Sequence, residues 1–425
     1  MPEIWPSKLL RRHRAFVADF ATMMSGKSIS ASIALFTMPI VARFFTPTDF
    51  GIAAVYLSII GIASNIAAFR YETALVLPKD HEQAQLLLVL CYRVLFATCT
   101  VTLFAVVLYD ISGYSWSAME MLGYWMYFLP LGIMLMAALQ IQEAWLARQQ
   151  AFKVIASTTV LGTSINSGVR IGLGAFQGSS VFALILSNLL GMGCRLVIQN
   201  SASKEGLGAA FKPSTMSELR QIARQYSDFP LLNAPAALVF SFGQNLPVLL
   251  FGALYAPAVA GFYAMANRLS QAPMIVVASS MRRVFLQKAA AINNRGGSLR
   301  KAFLLTTIGL ALLGIVPFGT LWLFGQAILE LVLGRQWSQA GHYLSIMSPW
   351  LLMIWVTSPC NAVFIVLRKQ KLWLWIQSGL TLVRIAAIGV AFLIGAEAVW
   401  TLKAFVAATV AGNVATLLIA YVLIM

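Results

Sequence analysis

Charged residues are scarce in this 425-residue chain. Lys, Arg, Asp and Glu together make up 10% of it and hydrophobic residues 60%, whereas an ordinary soluble domain carries roughly 25% charged residues. The mean hydropathy is +0.80, and many apolar runs reach the roughly 20 residues that cross a bilayer as a helix. The composition excludes a soluble globular fold and predicts an all-α integral membrane protein.

The residues that usually build enzyme sites are also few. The four cysteines all fall inside apolar runs and the three histidines are dispersed in predicted loops, so neither a disulfide framework nor a zinc site is predicted. The chain has no phosphate-cradling glycine motif and no paired carboxylates in a pocket-like context. No segment is long enough for an exposed catalytic domain. We therefore expect no enzyme, no cofactor and no metal.

Acidic residues are half as frequent as basic ones. Fourteen Asp and Glu stand against 30 Lys and Arg, which gives a formal charge of +16. The basic residues lie in short loops between apolar runs and form no basic, aromatic-interleaved domain, so nucleic-acid binding is not predicted. If the N-terminus is cytoplasmic, 22 of the 30 lie on the cytoplasmic side and two, Arg43 and Arg335, lie outside. The positive-inside rule then places both termini in the cytoplasm.

Twelve apolar runs are candidate membrane spans. They are centred in residues 16 to 44, 50 to 70, 84 to 109, 121 to 146, 153 to 174, 176 to 198, 226 to 252, 258 to 281, 302 to 324, 340 to 367, 372 to 395 and 398 to 424. We predict two pseudo-symmetric bundles of six helices: 1–198, a cytoplasmic linker at 199–225, and 226–425.

Three sequence features recur at nearly constant spacing in the two halves. Asp19-Phe20 matches Asp228-Phe229, Pro39 matches Pro247, and Pro47-x-x-x-Gly51 matches Pro257-x-x-x-Gly261, at offsets of 209, 208 and 210. Since each half has an even number of spans, the two copies would have the same orientation in the membrane, as parallel repeats. The paired external turns are expected to start helices.

The linker is predicted to end in an amphipathic helix. Thr215-x-x-Glu218 has the pattern of a capping box, and Leu219, Ile222, Ala223 and Tyr226 follow on one helical face. The helix could lie on the cytoplasmic membrane surface or be a solvated linker helix.

Six cations remain once those assigned to the cytoplasmic and outer sides are set aside. Lys27, Arg93, Arg268 and Arg384 are near mid-span, whereas Arg170 and Lys403 are near the outer ends and could snorkel to the interface. A charge at a helix centre costs about 2.5 to 3.5 kcal/mol on insertion scales. The mid-span cations are therefore predicted to line a central polar cavity.

No acidic residue lies at mid-span to balance these cations. An anion from outside the protein would complete such a site, and the planar fork of Arg suits phosphate. A phosphate or pyrophosphate head group is therefore the predicted ligand. Alternatively, each cation pairs with helix carbonyls or with polar neighbours. Those neighbours are Asn65, Gln140, Asn166, Gln244, Asn245 and Asn361.

Two aspartates stand at equivalent positions near the predicted cytoplasmic starts of their helices. Asp19 and Asp228 could each stabilise the positive N-terminal end of a helix. Alternatively they form a gate by pairing with cytoplasmic Arg residues when the cavity opens outward.

Two blocks of sequence resemble the polysaccharide-export flippases of the multidrug, oligosaccharidyl-lipid and polysaccharide exporter superfamily, over almost the whole chain. The early block comprises Pro47-x-Asp49-Phe50-Gly51, Arg70–Pro78 (RYETALVLP) and Glu82-Gln83-Ala84. The later block comprises Asp228-Phe229-Pro230, Asn233-Ala234-Pro235, Leu246-Pro247-Val248, Ala260–Ala264 (AGFYA), Arg268, Pro273 and Val284-Phe285.

The resemblance implies two six-helix bundles with a cationic cavity between them. It implies that a polyprenyl pyrophosphate-linked oligosaccharide is turned over from the cytoplasmic to the outer leaflet of a bacterial inner membrane by alternating access. The cavity-lining basic residues of relatives carry over to Lys27 and Arg268, whereas Arg70 lies at the end of its helix and departs from the pattern. The expected partners are the lipid-linked oligosaccharide and other polysaccharide-assembly proteins, and a monomer would suffice.

Two other functional classes are the alternatives for a multi-pass membrane protein of this composition. A cation-coupled multidrug exporter of the same superfamily would need acidic residues in its cavity, and none lies at mid-span. A membrane glycosyltransferase or polymerase would need an exposed domain or loop for its acids and bases.

Overall fold

The computed structural model describes residues 7–114, 116–203, 205–270, 285–286, 289, 292 and 297–425, with side chains from Thr22 onward. Helices account for 87% of the described residues, which contain no β-strand, and this confirms the all-α prediction. The chain forms two compact units. Unit 1 contains the residues up to Phe44 together with Val55–Asn245, and unit 2 contains Phe45–Ala54 and Leu246–Met425.

Among the described residues, seven α-helices lie in unit 1 and two more are divided between the units. Those of unit 1 are α1 (Ser7–Phe44), α3 (His81–Ser112), α4 (Ser117–Leu122), α5 (Leu129–Arg148), α6 (Phe152–Gln177), α7 (Val181–Ala202) and α8 (Met216–Gln225). The divided helices are α2 (Pro47–Ser64), which begins in unit 2, and α9 (Ala234–Leu254), which ends there. The described helices of unit 2 are α10 (257–270), α11 (Leu299–Leu333), α12 (Ser338–Val356), α13 (Cys360–Val366), α14 (Gln370–Leu393) and α15 (Ala398–Leu423).

Ten helical segments within the described residues are long and apolar enough to cross a membrane. The other two predicted spans correspond to α6 and α10. Helix α6 has 26 residues but a high content of Ser, Thr, Asn and Gly, which lowers its hydropathy. Helix α10 is described only as far as residue 270, and the rest of the predicted eighth span lies outside the described residues, as do Pro273 and Val284.

Several helices extend beyond the predicted spans or divide them. Helix α1 begins at Ser7, nine residues before the predicted span. Its first turns are polar and basic, so the apolar pattern did not include them. Helix α11 continues to Leu333 instead of ending near 324. The predicted span 340 to 367 is divided into α12 and α13, with Pro359 at the N-cap of the second helix.

Small residues allow close helix packing in unit 1. A Cβ atom on Gly26 would lie 2.7 Å from the Cβ of Ala156, so α1 and α6 approach closely there. Gly162 of α6 and Gly191 of α7 face each other, and a Cβ on either would lie 2.8 to 3.0 Å from the carbonyl oxygen of the other. This agrees with the general use of small residues at helix interfaces in membranes.

A buried chain of hydrogen bonds connects four helices of unit 1. The Tyr92 hydroxyl donates to Oε1 of Gln142 at 2.9 Å, and Nε2 of Gln142 donates to the carbonyl of Gln199 at 3.2 Å. Nε2 of Gln199 then donates to Oγ1 of Thr158 at 2.9 Å. All four side chains are buried. Because unmatched polar groups are costly away from water, the chain favours one arrangement of α3, α5, α6 and α7.

The predicted amphipathic linker helix is α8. Its capping box is present: the Glu218 N–H donates to Oγ1 of Thr215 at 3.3 Å, and the Thr215 N–H donates to Oε2 of Glu218 at 2.8 Å. Whether its outer face meets the membrane surface or solvent stays a prediction, but part of its apolar face packs inside the protein. Leu219 and Ile222 are buried, and α8 packs on α3 within unit 1.

The segment before α8 is also held on unit 1. The Glu205 carboxylate accepts a hydrogen bond from Gln85, lies 3.0 Å from Nε2 of His81 and forms an ion pair with Nζ of Lys212 at 3.8 Å. Both His81 and Gln85 belong to the first turns of α3. The linker therefore lies along the beginning of α3.

The beginning of α2 is held in unit 2 by an aromatic core. Trp337 is fully buried and its ring lies 5.2 Å from that of Phe50 and 6.3 Å from that of Phe262, both in edge-to-face geometry. Nε2 of Gln336 donates to the Phe45 carbonyl at 3.4 Å. These contacts explain why Phe45–Ala54 belongs with unit 2.

Candidate functional site

Lys27 lies on α1 in unit 1. Its side chain is exposed, although the preceding residue, Gly26, packs against α6. Adjacent helical residues point about 100° apart, so the close contact at Gly26 leaves Lys27 beside the α1–α6 interface instead of within it. Among the described residues Lys27 has no ion-pair partner.

Arg93 has a partner in the linker. Its guanidinium NH2 donates to the carbonyl oxygen of Lys212 at 3.1 Å. Arg93 thus pairs with a backbone carbonyl, which is the alternative to ligand binding that the sequence left open. Its side chain holds the end of the 3₁₀ turn Leu207–Phe211 on α3. Its predicted contribution to ligand binding stays a prediction.

Arg268 and Arg384 both lie in unit 2, the first on α10 and the second near a residue of α10. Arg268 is an exposed residue of α10, and Arg384 is a half-buried residue of α14. The buried Tyr263 lies near Arg384 and precedes Arg268 by five residues, or about 7.5 Å along the helix. The Nε atom of Arg384 is buried and has no hydrogen-bond partner within the described part of the chain.

The two cations near the outer ends differ. Arg170 is buried and its Nε donates to Oγ of Ser187 at 3.4 Å, between α6 and α7, so the expectation that it snorkels was wrong. Lys403 is exposed and its Nζ lies 4.0 Å from the ring centroid of Trp400. That cation–π contact is compatible with an interfacial position.

The two candidate gate residues occupy different local structures. Asp228 is exposed and immediately precedes one turn of π-helix, Phe229–Asn233, without a side-chain capping bond. Asp19 lies three turns inside α1, which begins at Ser7, so it does not stand at a helix start. The described side chains begin at Thr22, so that of Asp19 is not among them. The gate stays a prediction.

Some of the predicted polar neighbours meet where α2 and α9 pack together in unit 1. Nδ2 of Asn65 donates to Oγ of Ser241 at 3.1 Å, and that hydroxyl donates to the carbonyl of Gly61 at 3.1 Å. Nδ2 of Asn245 donates to the Ser241 carbonyl at 2.9 Å. In the described structure Asn65 thus bonds across to α9 and Asn245 bonds within α9, and neither bonds to any of the four predicted ligand-binding cations.

Sequence reasoning gave no role to the loop between α2 and α3. Glu72 is buried there and pairs with NH1 of Arg70, whose backbone is left-handed with φ 62°, at 3.2 Å. Burial raises the pKa of Glu72, and the Arg70 charge offsets part of that rise. Arg148 donates to the carbonyls of Leu75 and Pro78 at 3.1 and 2.7 Å and holds the loop on α5. The sequence signal that could have identified this ion pair is Glu72 itself, a carboxylate between two apolar spans.

A family model described as polysaccharide biosynthesis protein matches residues 40–342. The succinoglycan biosynthesis transport protein ExoT of Rhizobium meliloti (strain 1021) is 23% identical over 337 residues. The match covers 76% of this chain and 63% of the relative, so the chain spans less than two thirds of the length of that relative.

Solved structures share the fold at low sequence identity. The lipid II flippase MurJ in an inward closed conformation superposes with a TM-score of 0.75 at 13% identity, over 93% of this chain and 86% of that one. An inward-facing multidrug resistance MATE family transporter of the MOP superfamily gives a TM-score of 0.63 at 15% identity, over 94% and 93%. At these identities the similarity establishes a common fold and nothing finer.

Proposed function

The chain belongs to the polysaccharide biosynthesis protein family, and we propose that it is a flippase for polyprenyl pyrophosphate-linked oligosaccharide. In this proposal the lipid-linked sugar passes from the cytoplasmic to the outer leaflet of a bacterial inner membrane by alternating access. Both termini are cytoplasmic, and no covalent bond is made or broken. The similarity to a succinoglycan biosynthesis transport protein supports transport as the function.

The observation that carries the proposal is the set of cations without acidic partners. In the described part of the chain, the ion pairs join Glu72, Glu143, Glu205 and Glu330 to cations other than Lys27, Arg268 and Arg384. A buried donor such as Nε of Arg384 is costly unless a partner satisfies it. An anionic ligand would supply that partner.

Pyrophosphate fits these side chains chemically. It carries several negative oxygens, so it can accept bonds from a guanidinium fork and from a lysine ammonium together. We assign the pyrophosphate to Lys27 and Arg268, with Arg384 and Arg93 assisting, while the polyprenyl tail remains in the bilayer. A cationic drug would be repelled by the same residues, which disfavours the multidrug-exporter alternative.

The proposal is tested by glycan export in cells that depend on this chain. Lys27→Ala and Arg268→Ala are each expected to abolish most export and to cause the lipid-linked oligosaccharide to accumulate in the cytoplasmic leaflet. Arg335→Ala is the matched control, because Arg335 is fully exposed and only pairs with Glu330 at 3.9 Å. Normal export by both variants at wild-type protein levels would refute the assignment.

A further inference from the structure

One stretch of unit 1 differs in composition from the rest of the chain. Residues 109–128 (YDISGYSWSAMEMLGYWMYF) contain four of the twelve tyrosines, two tryptophans and a phenylalanine. Their charged residues are Asp110 and Glu120, with no Lys or Arg, in a protein of formal charge +16. The stretch is therefore a local acidic and aromatic surface.

The fold closes this stretch into a pocket. The last turn of α3, the short helix α4 and the 3₁₀ turn Gly123–Phe128 surround a cavity of about 360 Å³. Four tyrosine rings, two carboxylates and two methionines line it: Tyr109, Tyr114, Tyr124, Tyr127, Asp110, Glu120, Met119 and Met126. The volume lies at the lower end of the range for small-molecule sites, roughly 300 to 1,000 Å³.

Part of the lining is fixed by hydrogen bonds. The Tyr127 hydroxyl donates to Oδ2 of Asp110 at 2.7 Å, which joins the 3₁₀ turn to the end of α3. The Trp116 N–H donates to the Tyr109 hydroxyl at 2.9 Å. In contrast, the Tyr124 and Tyr114 side chains remain 87% and 72% exposed. The pocket thus combines a rigid polar wall with aromatic rings that are open to a ligand.

The pocket lies at the end of unit 1 that the charge distribution predicts to be outside. Helix α3 has 32 residues and is about 48 Å long, whereas the hydrocarbon core is about 30 Å thick. The 20 residues of α5 can cross that core without α4 or the 3₁₀ turn. An interfacial aromatic belt explains tyrosine and tryptophan at this level, but not two carboxylates that share a cavity with four tyrosines.

We propose that this pocket is a binding subsite for the sugar part of the transported molecule on the outer side of the membrane. The apolar C–H face of a pyranose ring stacks on Tyr124 and Tyr114, and its hydroxyls donate to the carboxylates of Asp110 and Glu120, which accept hydrogen bonds when ionised. The ligand class is a neutral oligosaccharide, and its identification as the transported glycan rests on the proposed function.

The test measures binding of free oligosaccharide to the full chain in nanodiscs by saturation-transfer difference NMR. The probe is the oligosaccharide that mild acid releases from the lipid-linked intermediates of the cell that encodes the chain, without lipid or pyrophosphate. We expect Tyr124→Ala and Asp110→Asn to weaken its binding at least tenfold, and Tyr124→Phe to retain it. Phe176→Ala is the control, since Phe176 is 92% exposed at the end of α6 and does not line the pocket.

Three results would overturn the subsite: no binding to the wild-type chain, equal binding to Tyr124→Ala, or saturation transfer to tetramethylammonium alone. The last would identify a site for cations, which also bind aromatic faces. Thermal stabilisation of the same samples by polyprenyl pyrophosphate separates this inference from the proposed function. Stabilisation without sugar binding refutes only the subsite, whereas sugar binding without stabilisation refutes the flippase assignment and leaves a sugar site whose ligand is not the transported glycan.

Discussion

Gly51 and Gly261 occupy matching positions of the two sequence repeats, and each lies against the backbone of the other repeat. A Cβ atom on Gly51 would overlap the carbonyl oxygen of Pro257, and one on Gly261 would overlap the carbonyl oxygen of Pro47. Both turns belong to unit 2. Such reciprocity is expected of two copies that meet around a two-fold axis, and it supports the internal repeat.

Alanine at either glycine is therefore expected to destabilise the protein. The added methyl group meets backbone atoms, which cannot rotate away, so the cost should be about 1 to 3 kcal/mol or more. The measurement is the apparent melting temperature of the purified protein, followed by size-exclusion chromatography after heating. Gly51→Ala and Gly261→Ala should both lower it.

Gly309→Ala is the matched control for this prediction. Gly309 lies inside α11 of the same unit, and no atom would lie within 4 Å of its added Cβ. Alanine is a better helix former than glycine by about 1 kcal/mol, so its melting temperature should be unchanged or higher. Equal effects of the Gly51 and Gly309 substitutions would contradict the close packing of the two turns.

Arg93 is expected to hold the linker on α3. Replacing it with alanine removes the bond to the Lys212 carbonyl, and a hydrogen bond from a charged donor contributes about 1.5 kcal/mol or more. Cleavage by chymotrypsin after Phe211, which is 82% exposed, should become about tenfold faster, since proteolysis follows the opened population.

The same variant separates the two roles of Arg93. Arg335→Ala serves as the control and should leave the cleavage rate unchanged. If Arg93→Ala abolished stabilisation by polyprenyl pyrophosphate without faster cleavage, Arg93 would act on the ligand and the linker contact would be unimportant.

Glu72 gives a prediction about pH. Because burial raises its pKa in the folded state, the folded protein holds a proton that the unfolded chain has released once the pH passes about 4.3. The free energy of unfolding should therefore fall as the pH rises from there to the raised pKa. Glu72→Gln should flatten the dependence in this window, as measured by melting temperature against pH.

Glu330→Gln, at a half-buried carboxylate of α11 outside this loop, is the control and should keep the slope of the wild-type protein. A slope that Glu72→Gln leaves unchanged would show that another group titrates there. A stability that rises across the window would mean that the Arg70 ion pair outweighs burial.

Much of the fold was predictable because long apolar runs have a simple physical consequence. Each must cross the bilayer as a helix that satisfies its own backbone hydrogen bonds. The capping box was also predictable, because Thr215 and Glu218 are only one helical turn apart in the sequence. The first turns of α1 were missed because their basic side chains give no apolar signal.

The partners of individual side chains were not predictable, since they depend on long-range packing. The apolar face of α8 fits either a membrane surface or another helix, and only the fold shows Leu219 buried in unit 1. Arg93 bonds to a carbonyl 119 residues away. The pocket at residues 109–128 was overlooked because tyrosine near a span end is expected of any membrane protein.

The most direct test of the flippase assignment is thermal stabilisation of the purified protein by polyprenyl pyrophosphate. The comparison includes polyprenyl monophosphate and a cationic dye, with wild-type protein, Lys27→Ala, Arg268→Ala and the control Arg335→Ala. We predict a larger shift with pyrophosphate than with monophosphate, retained in the control and lost in the Lys27 and Arg268 variants. A shift with the cationic dye alone would contradict the anionic-ligand account and favour a drug exporter.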